Sequence, residues 1–276
     1  MPELPEVETT RRMLVPELAG RRIVSTRVLH PRMLRRQPEP DDFAARLEGR
    51  VVRSLARRGK FLMFDVGEGL TWVSHLGMSG HMAISGPAEP LGRHTRVVIE
   101  TGSGREVRMI DPRTFGFVAV YTASELAAST LALLGPDALG EIPPAERLAA
   151  AVHGRRVAVK TLLLDQRFIS GLGNIYSDEV LFEAHVDGSR PAGSLTVAEM
   201  ASIRRAIRSV LEAGLSHGGT SLDDLAYLLP DGRAGRHLEY LSVYGREGRP
   251  CRSCRTPIRR SVIGARSSYR CPSCQT

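Results

Sequence analysis

Apolar residues change their spacing three times along the chain. A short helix is expected first, from about Pro5 to Leu18. From roughly Ile23 to Tyr121 the apolar runs are short or alternating: Val51-Val52, Phe61 to Val66, Leu70 to Val73, Val97 to Ile99, Val107 to Ile110 and Phe117 to Tyr121. Glycine, proline and charge clusters separate them, which predicts several short strands in a β-sandwich or barrel. From about Leu131 the pattern becomes helical. Thr196-Val197-Ala198-Glu199 reads as a capping box, followed by an apolar stripe at Met200, Ile203, Ile207, Val210 and Leu211, with Gly214 as the expected stop. Leu162 to Leu164 and Val180 to Phe182 mark two further helices, joined through the glycine turn Ser170 to Asn174, an arrangement of the helix-turn-helix class. Near Tyr244 the texture changes again. Val262-Ile263 and Ser267 to Arg270 flank Gly264 as a two-stranded hairpin would.

Four cysteines give that last unit its chemistry. Cys251-x2-Cys254, sixteen residues, then Cys271-x2-Cys274 is the spacing of a four-cysteine zinc site and uses every cysteine in the chain. Disulfides are the other use of such pairs. The acidic, mixed N-terminus is no secretory signal and no apolar run approaches the ~18 residues of a membrane span, so the reducing cytoplasm is expected and a metal is favoured. One structural zinc would hold a hairpin too small to fold on its own core. The spacing alone leaves DNA binding and protein binding both open.

Charge narrows the partner. The net charge is +8, and from Leu225 to Thr276 there are ten arginines against three acids, so nearly the whole excess lies in the last fifth. A polyanion is the partner such a segment fits. Lys60 and Lys160 are the only lysines. Arginine cannot act as the same compact, deprotonatable charge, which singles out these two positions.

The N-terminus carries the candidate catalyst. The chain opens Met1-Pro2-Glu3-Leu4-Pro5-Glu6-Val7-Glu8-Thr9. Loss of Met1 would expose the secondary amine of Pro2, which condenses with an aldehyde to a cationic iminium without a cofactor. An α-amino group titrates near ~8, so much of it is neutral and nucleophilic at neutral pH. Glu3 and Glu6, three apart, would share a helix face. The same residues also suit a plain helix start, with proline and acids in the first turn.

Taken in order, PELPEVET, RRGKFL, HLGMSG, DPRTFG, LLLDQ, GLGNIYSDEVLF, VYGREGRPC and the terminal cysteine pairs resemble the formamidopyrimidine-DNA glycosylase family, which includes the endonuclease VIII enzymes. The resemblance runs from Pro2 to Gln275. It implies an α+β multidomain fold: an N-terminal helix and β-sandwich (1–130), a helical helix-two-turn-helix domain (131–225), a lesion-capping loop (226–243) and a C-terminal four-cysteine zinc-finger β-hairpin (244–276). It implies a monomeric, DNA-binding glycosylase and lyase of base excision repair that excises oxidised purines and cuts by β,δ-elimination. Pro2 would be the nucleophile, Glu3 the acid/base, Glu6 a supporting acid and Lys60 a charge at the lesion phosphate. Met78, Arg113 and Phe115 would enter the duplex where the damaged base leaves. His75, His94, Lys160, Asn174, Tyr244 and Arg266 fall at DNA-contact positions, Arg266 also within the catalytic set. Thr114, Arg96, Val186 to Ser189 and Leu228 to Pro230 depart from the common pattern and bear on lesion preference. The alternatives are an endonuclease VIII-like enzyme for oxidised pyrimidines and a non-catalytic damage-binding protein.

Overall fold

The computed structural model describes residues 2–140, 142–222 and 227–276. Its contacts divide the chain into two compact units, each assembled from two stretches: Met1–Leu133 with His217–Leu238, and Leu134–Ser216 with Glu239–Thr276.

In the first unit, helix α1 (Leu4–Leu18) opens on a capping box between Glu3 and Glu6, with Pro5 in the first turn where no intrahelical N–H is required. Its buried face, including Val7, Leu14 and Leu18, joins the core. Strands β1 (Ile23–Val28), β6 (Thr95–Thr101), β7 (Glu106–Ile110) and β5 (His81–Ser85) form one antiparallel sheet in that order. Strands β2 (Ser54–Arg58), β3 (Phe61–Asp65), β4 (Leu70–His75) and β8 (Phe117–Thr122) form the other. In β3 the alternation is plain: Leu62 and Phe64 are buried while Phe61 and Met63 are half-buried. Phe64 pairs across the strands with Trp72 and stacks on it, centroids 3.9 Å apart. Residues of both sheets share one core, among them Ile23, Leu62, Trp72, Val97, Met109 and Val118, so the expected sandwich is present. Full burial of each such side chain is worth ~1.5–3 kcal/mol. Short helices α2 (Asp42–Ala45) and α3 (Ala123–Ala128) lie in the same unit, and Arg46 links them through Glu125 at 2.6 Å.

Strands β1, β2 and β5 lie outside the apolar runs of the sequence. Val51-Val52 is not a strand; Val51 makes a single bridge to Arg22. The strand lies three residues on, in β2, whose only buried residue is Leu55. Strands β2 and β5 are both sheet edges, and an edge strand needs little apolar signal.

The second unit holds α4 (Ala145–Val152), α5 (Val159–Leu164), α6 (Asn174–Glu183), α7 (Val197–Ser216) and the hairpin β9 (Arg259–Ile263) and β10 (Arg266–Arg270). Gly214 does not stop α7, which runs on to Ser216. A Cβ there would lie 2.7 Å from the Tyr176 ring, so this glycine is required by packing against α6. Gln166 fastens the glycine turn between α5 and α6. Its amide donates to the carbonyls of Leu164 and Leu172 and accepts from the Gly171 N–H. The hairpin turns through Gly264 and Ala265, both with positive φ, as a two-residue type I′ loop requires. Gly264 approaches α5 so closely that a Cβ would sit 2.7 Å from Thr161 Oγ1. Among the described residues no helix is long and apolar enough to cross a membrane.

Candidate active site and nucleic-acid interface

Pro2 is buried immediately before α1, beside the fully buried Glu3. Glu3 is the N-cap and so precedes the helix; the two acids meet through hydrogen bonding, not as neighbours on a helical face. The Glu3 N–H donates to Glu6 Oε2 at 2.8 Å, and Glu6 Oε1 accepts from the Thr220 N–H at 2.7 Å. One carboxylate therefore ties the N-terminal turn to the segment that returns after α7. Gly219, at φ +82°, passes so near that a Cβ would be 2.7 Å from Glu6 Oε1. The Tyr227 hydroxyl donates to the Glu6 carbonyl at 3.2 Å. Burial, with the Glu6 charge, pushes that phenol upward. Of the expected capping loop (226–243), residue 226 lies outside the described residues, as do residues 223–225 at the end of the segment before it.

Lys60 sits in the turn between β2 and β3, largely buried. Glu8 and Arg57 build that turn, and the sequence pattern singled out neither. Arg57 bonds Glu8 at 3.2 Å and the Gly59 carbonyl at 2.8 Å. Burial would raise the Glu8 carboxyl, but hydrogen bonds from Arg11 and Arg12 and the nearby Arg57 charge outweigh it and hold Glu8 at about 2. The signal was available: an acid one helical turn from two arginines. His75 ends β4, its ring 4.8 Å from Phe61 and stacked on Phe117. Burial, reinforced by the charges of Lys60 and Arg35, pulls His75 down to about 4. Its Nδ1 accepts from the Gly77 N–H at 3.1 Å, so the neutral ring carries its proton on Nε2.

Met78 is half-buried on the turn after β4, while Arg113 and Phe115 are exposed on the loop after β7. Phe115 is 39% exposed, unusual for a large apolar ring, and the Arg113 guanidinium lies 4.7 Å over it. Thr114 takes a positive φ of 54°. His94 Nδ1 meets Arg96 Nη2 at 3.2 Å, and Arg96 Nε donates to the Asp111 carbonyl.

In the second unit, Arg266 is exposed at the start of β10. Tyr244 packs edge-on against Tyr269, and its N–H, with those of Ser242 and Val243, converges on the buried Glu179 carboxylate. Asn174 opens α6, with its Oδ1 buried and no hydrogen-bond partner among the described residues. The helix N-terminus makes this a ready anion site. Lys160 does not meet the expectation of a direct DNA contact. It is fully buried, paired with Asp178 at 2.8 Å and donating to the Ser267 carbonyl at 2.7 Å. Asp178 in turn accepts from Ser268 Oγ and the Tyr269 N–H. Burial pushes its carboxyl up to about 6 although the ammonium pulls it down.

The four cysteine sulfurs lie within 4.8 Å of one another. A tetrahedral ion with ~2.3 Å metal–sulfur bonds needs sulfurs just under ~4 Å apart, so the cluster fits such an ion. Cys251 and Cys271 are fully buried, and Cys251 Sγ accepts from the Ser253 N–H.

Known proteins resemble the chain in sequence and in overall fold. Residues 1–118 match the formamidopyrimidine-DNA glycosylase N-terminal domain, and residues 134–225 match the H2TH domain of the same enzymes. The formamidopyrimidine-DNA glycosylase of Thioalkalivibrio sulfidiphilus is 42% identical over 275 residues, covering all of both chains. That of Moorella thermoacetica is 43% identical over 263 residues, 94% of each. The chain belongs to the formamidopyrimidine-DNA glycosylase family. Its fold is similar to that of the MutM (Fpg) protein of Thermus thermophilus, with a TM-score of 0.88 at 39% identity over 99% of this chain and 98% of that one. It is also similar to Lactococcus lactis Fpg in complex with abasic-site DNA, with a TM-score of 0.91 at 27% identity over the whole of both chains.

Proposed function

We propose that this chain is a bifunctional DNA glycosylase and abasic-site lyase of base excision repair that removes oxidised purines, chiefly 8-oxoguanine and formamidopyrimidines. The observation that carries the reading is Pro2, a potential secondary-amine nucleophile, held beside Glu3 and Glu6 in a chain of this family. After loss of Met1, the Pro2 amine attacks C1′ of the lesion sugar and the base departs. The resulting iminium acidifies the neighbouring carbon, and β- then δ-elimination cut the strand on both sides. Glu3 moves protons during ring opening and elimination. Glu6 holds the N-terminal turn through the Glu3 N–H. Lys60 supplies positive charge to the lesion phosphate, and neutral His75 donates from Nε2 to a backbone phosphate. Met78 and Phe115 fill the gap left by the everted base while Arg113 reads its partner.

Asn174, Tyr244 and Arg266 bind backbone phosphates, and His94 lies close enough to the Arg113 loop to join them. Lys160 acts from beneath, holding the strand that carries Arg266. One structural zinc binds Cys251, Cys254, Cys271 and Cys274, and damaged double-stranded DNA is the partner. The cytoplasm, at the nucleoid, is where such an enzyme works. The test is side-by-side cleavage of duplexes containing 8-oxoguanine, formamidopyrimidine or thymine glycol. Preference for the two purine lesions supports the reading; preference for thymine glycol moves the chain to the pyrimidine branch; no cleavage of any makes it a damage-binding protein.

A further inference from the structure

We propose that Asp111 is a positioning residue that fastens the Met78 turn and the Arg113–Phe115 loop into one rigid wedge, so that the three side chains enter a DNA gap as a unit. The role rests on the glycosylase reading above. Asp111 is fully buried just past the end of β7. Its carboxylate collects donors from both loops. Ser79 Oγ, next to Met78, donates to Oδ1 at 2.8 Å. The Arg113 N–H reaches the same oxygen at 3.2 Å, and the Gly116 N–H donates to Oδ2 at 2.7 Å.

Above that carboxylate the two backbones touch. A Cβ on Gly77 would lie 2.4 Å from the Gly116 nitrogen, and one on Gly116 would lie 2.8 Å from the His75 carbonyl. No side chain fits between them. The outer edge is braced from elsewhere. Arg35 donates to the carbonyls of Phe115 and Gly116, and Arg32 Nε donates to that of Thr114 at 3.3 Å. Donors on one side and acceptors on the other thus hold consecutive peptides of 113–116. Thr114, β-branched and at φ 54°, keeps an unfavourable conformation in the middle of them. Such a conformation persists where the surroundings over-determine it.

Filling a gap with side chains from two independently mobile loops would lose conformational freedom at each of them. A wedge already assembled avoids that loss. Asp111 touches no substrate in this role; it acts through Met78, Arg113 and Phe115.

A double-mutant cycle tests the coupling. Met78→Ala, Phe115→Ala and the pair are compared in the native background, in Ser79→Ala and in Asp111→Asn. Single-turnover excision of 8-oxoguanine from duplex DNA and cutting at a pre-made abasic site are both read. In the native background the pair should lose at least ~3-fold less excision than the product of the single losses; in Ser79→Ala and Asp111→Asn the losses should multiply within about twofold. Excision should fall in both background variants, while cutting at the pre-made site, which needs no eversion, falls less. A general loss of structure would lower both activities together, and Ser79→Ala, a single hydroxyl deletion, keeps the test open if Asp111→Asn does not fold. Multiplicative losses in the native background overturn the role, as does coupling that survives in both variants. No excision by the unmodified enzyme overturns the glycosylase reading itself.

Discussion

At the scale of single residues the proposed chemistry turns on one amine and the acids around it. Borohydride added to enzyme and damaged DNA should attach the DNA at Pro2, identified by peptide mass; attachment at Lys60 would sink the assignment. Glu3→Gln removes the proton-transfer group and leaves its shape, so excision should fall by ~10²–10⁴-fold while DNA binding persists. The histidines set an acid limit. Burial takes His75 down to about 4, and burial with the neighbouring His217 does the same to His237, whose ring stacks on that of His217. Both folded values lie below the unfolded ~6.5, so the fold favours the neutral ring. The stability this contributes is fully present above pH ~6.5 and is lost as pH falls toward about 4. The urea midpoint should therefore drop between pH 7 and pH 4.5, and His75→Gln should flatten part of that drop. A midpoint unchanged over this range would contradict the buried neutral histidines.

At the scale of elements, the hairpin that presents Arg266 is held from two sides: by the cysteine cluster at its base and by the Lys160–Asp178 pair beneath β10. Cys251→Ala should release zinc, measured as metal per chain, and weaken DNA binding without disturbing the α1 turn; full affinity in metal-free protein would count against it. Asp178→Ala strands a buried ammonium, which costs ~3–5 kcal/mol and should appear as a lower urea midpoint. These elements also mark what could be read from sequence alone. The cysteine spacing, the capping box at Thr196, the hairpin and the strands of the sandwich core were legible because each writes a period or a fixed spacing. The edge strands β2 and β5 were not, since half-exposed strands need no apolar run. Gly214 misled because a glycine near a helix end signals a stop unless a partner's ring, here Tyr176, demands the space. Lys160 misled for a related reason: lysine in a basic chain suggests a phosphate, and its actual partner, Asp178, lies on the next helix, at a distance in sequence that no local pattern encodes. Pro2, Glu3 and Glu6 were legible as a set. The Asp111 network that joins two loops was not, because a buried carboxylate looks like any other until its donors are known.

At the scale of the whole molecule, charge decides how the protein meets its partner. The surplus of +8 is concentrated in the arginine-rich last fifth, which includes the hairpin strand that begins with Arg266. A protein that neutralises phosphates releases condensed counterions, so the logarithm of its affinity falls linearly with the logarithm of salt, by about 0.9 per phosphate contacted. Phosphate contacts set register and carry no sequence information, so removing one should weaken every duplex alike. Arg266 is exposed and lies at the start of a strand whose backbone is anchored by Lys160 at the next residue, so its side chain is available to solvent from a fixed strand. Arg266→Ala should therefore reduce the salt slope by roughly one and lower affinity for lesion-containing and intact duplexes by the same factor. Arg113→Ala should behave in the opposite way, leaving the slope nearly unchanged and relaxing discrimination between cytosine and adenine opposite the lesion, because the role proposed for it is to read a base edge and not to bind a phosphate. Titrations of both variants at several salt concentrations separate the two kinds of contact. An unchanged slope in Arg266→Ala would place that side chain off the DNA backbone, and the +8 surplus would then have to act through other arginines of the same segment.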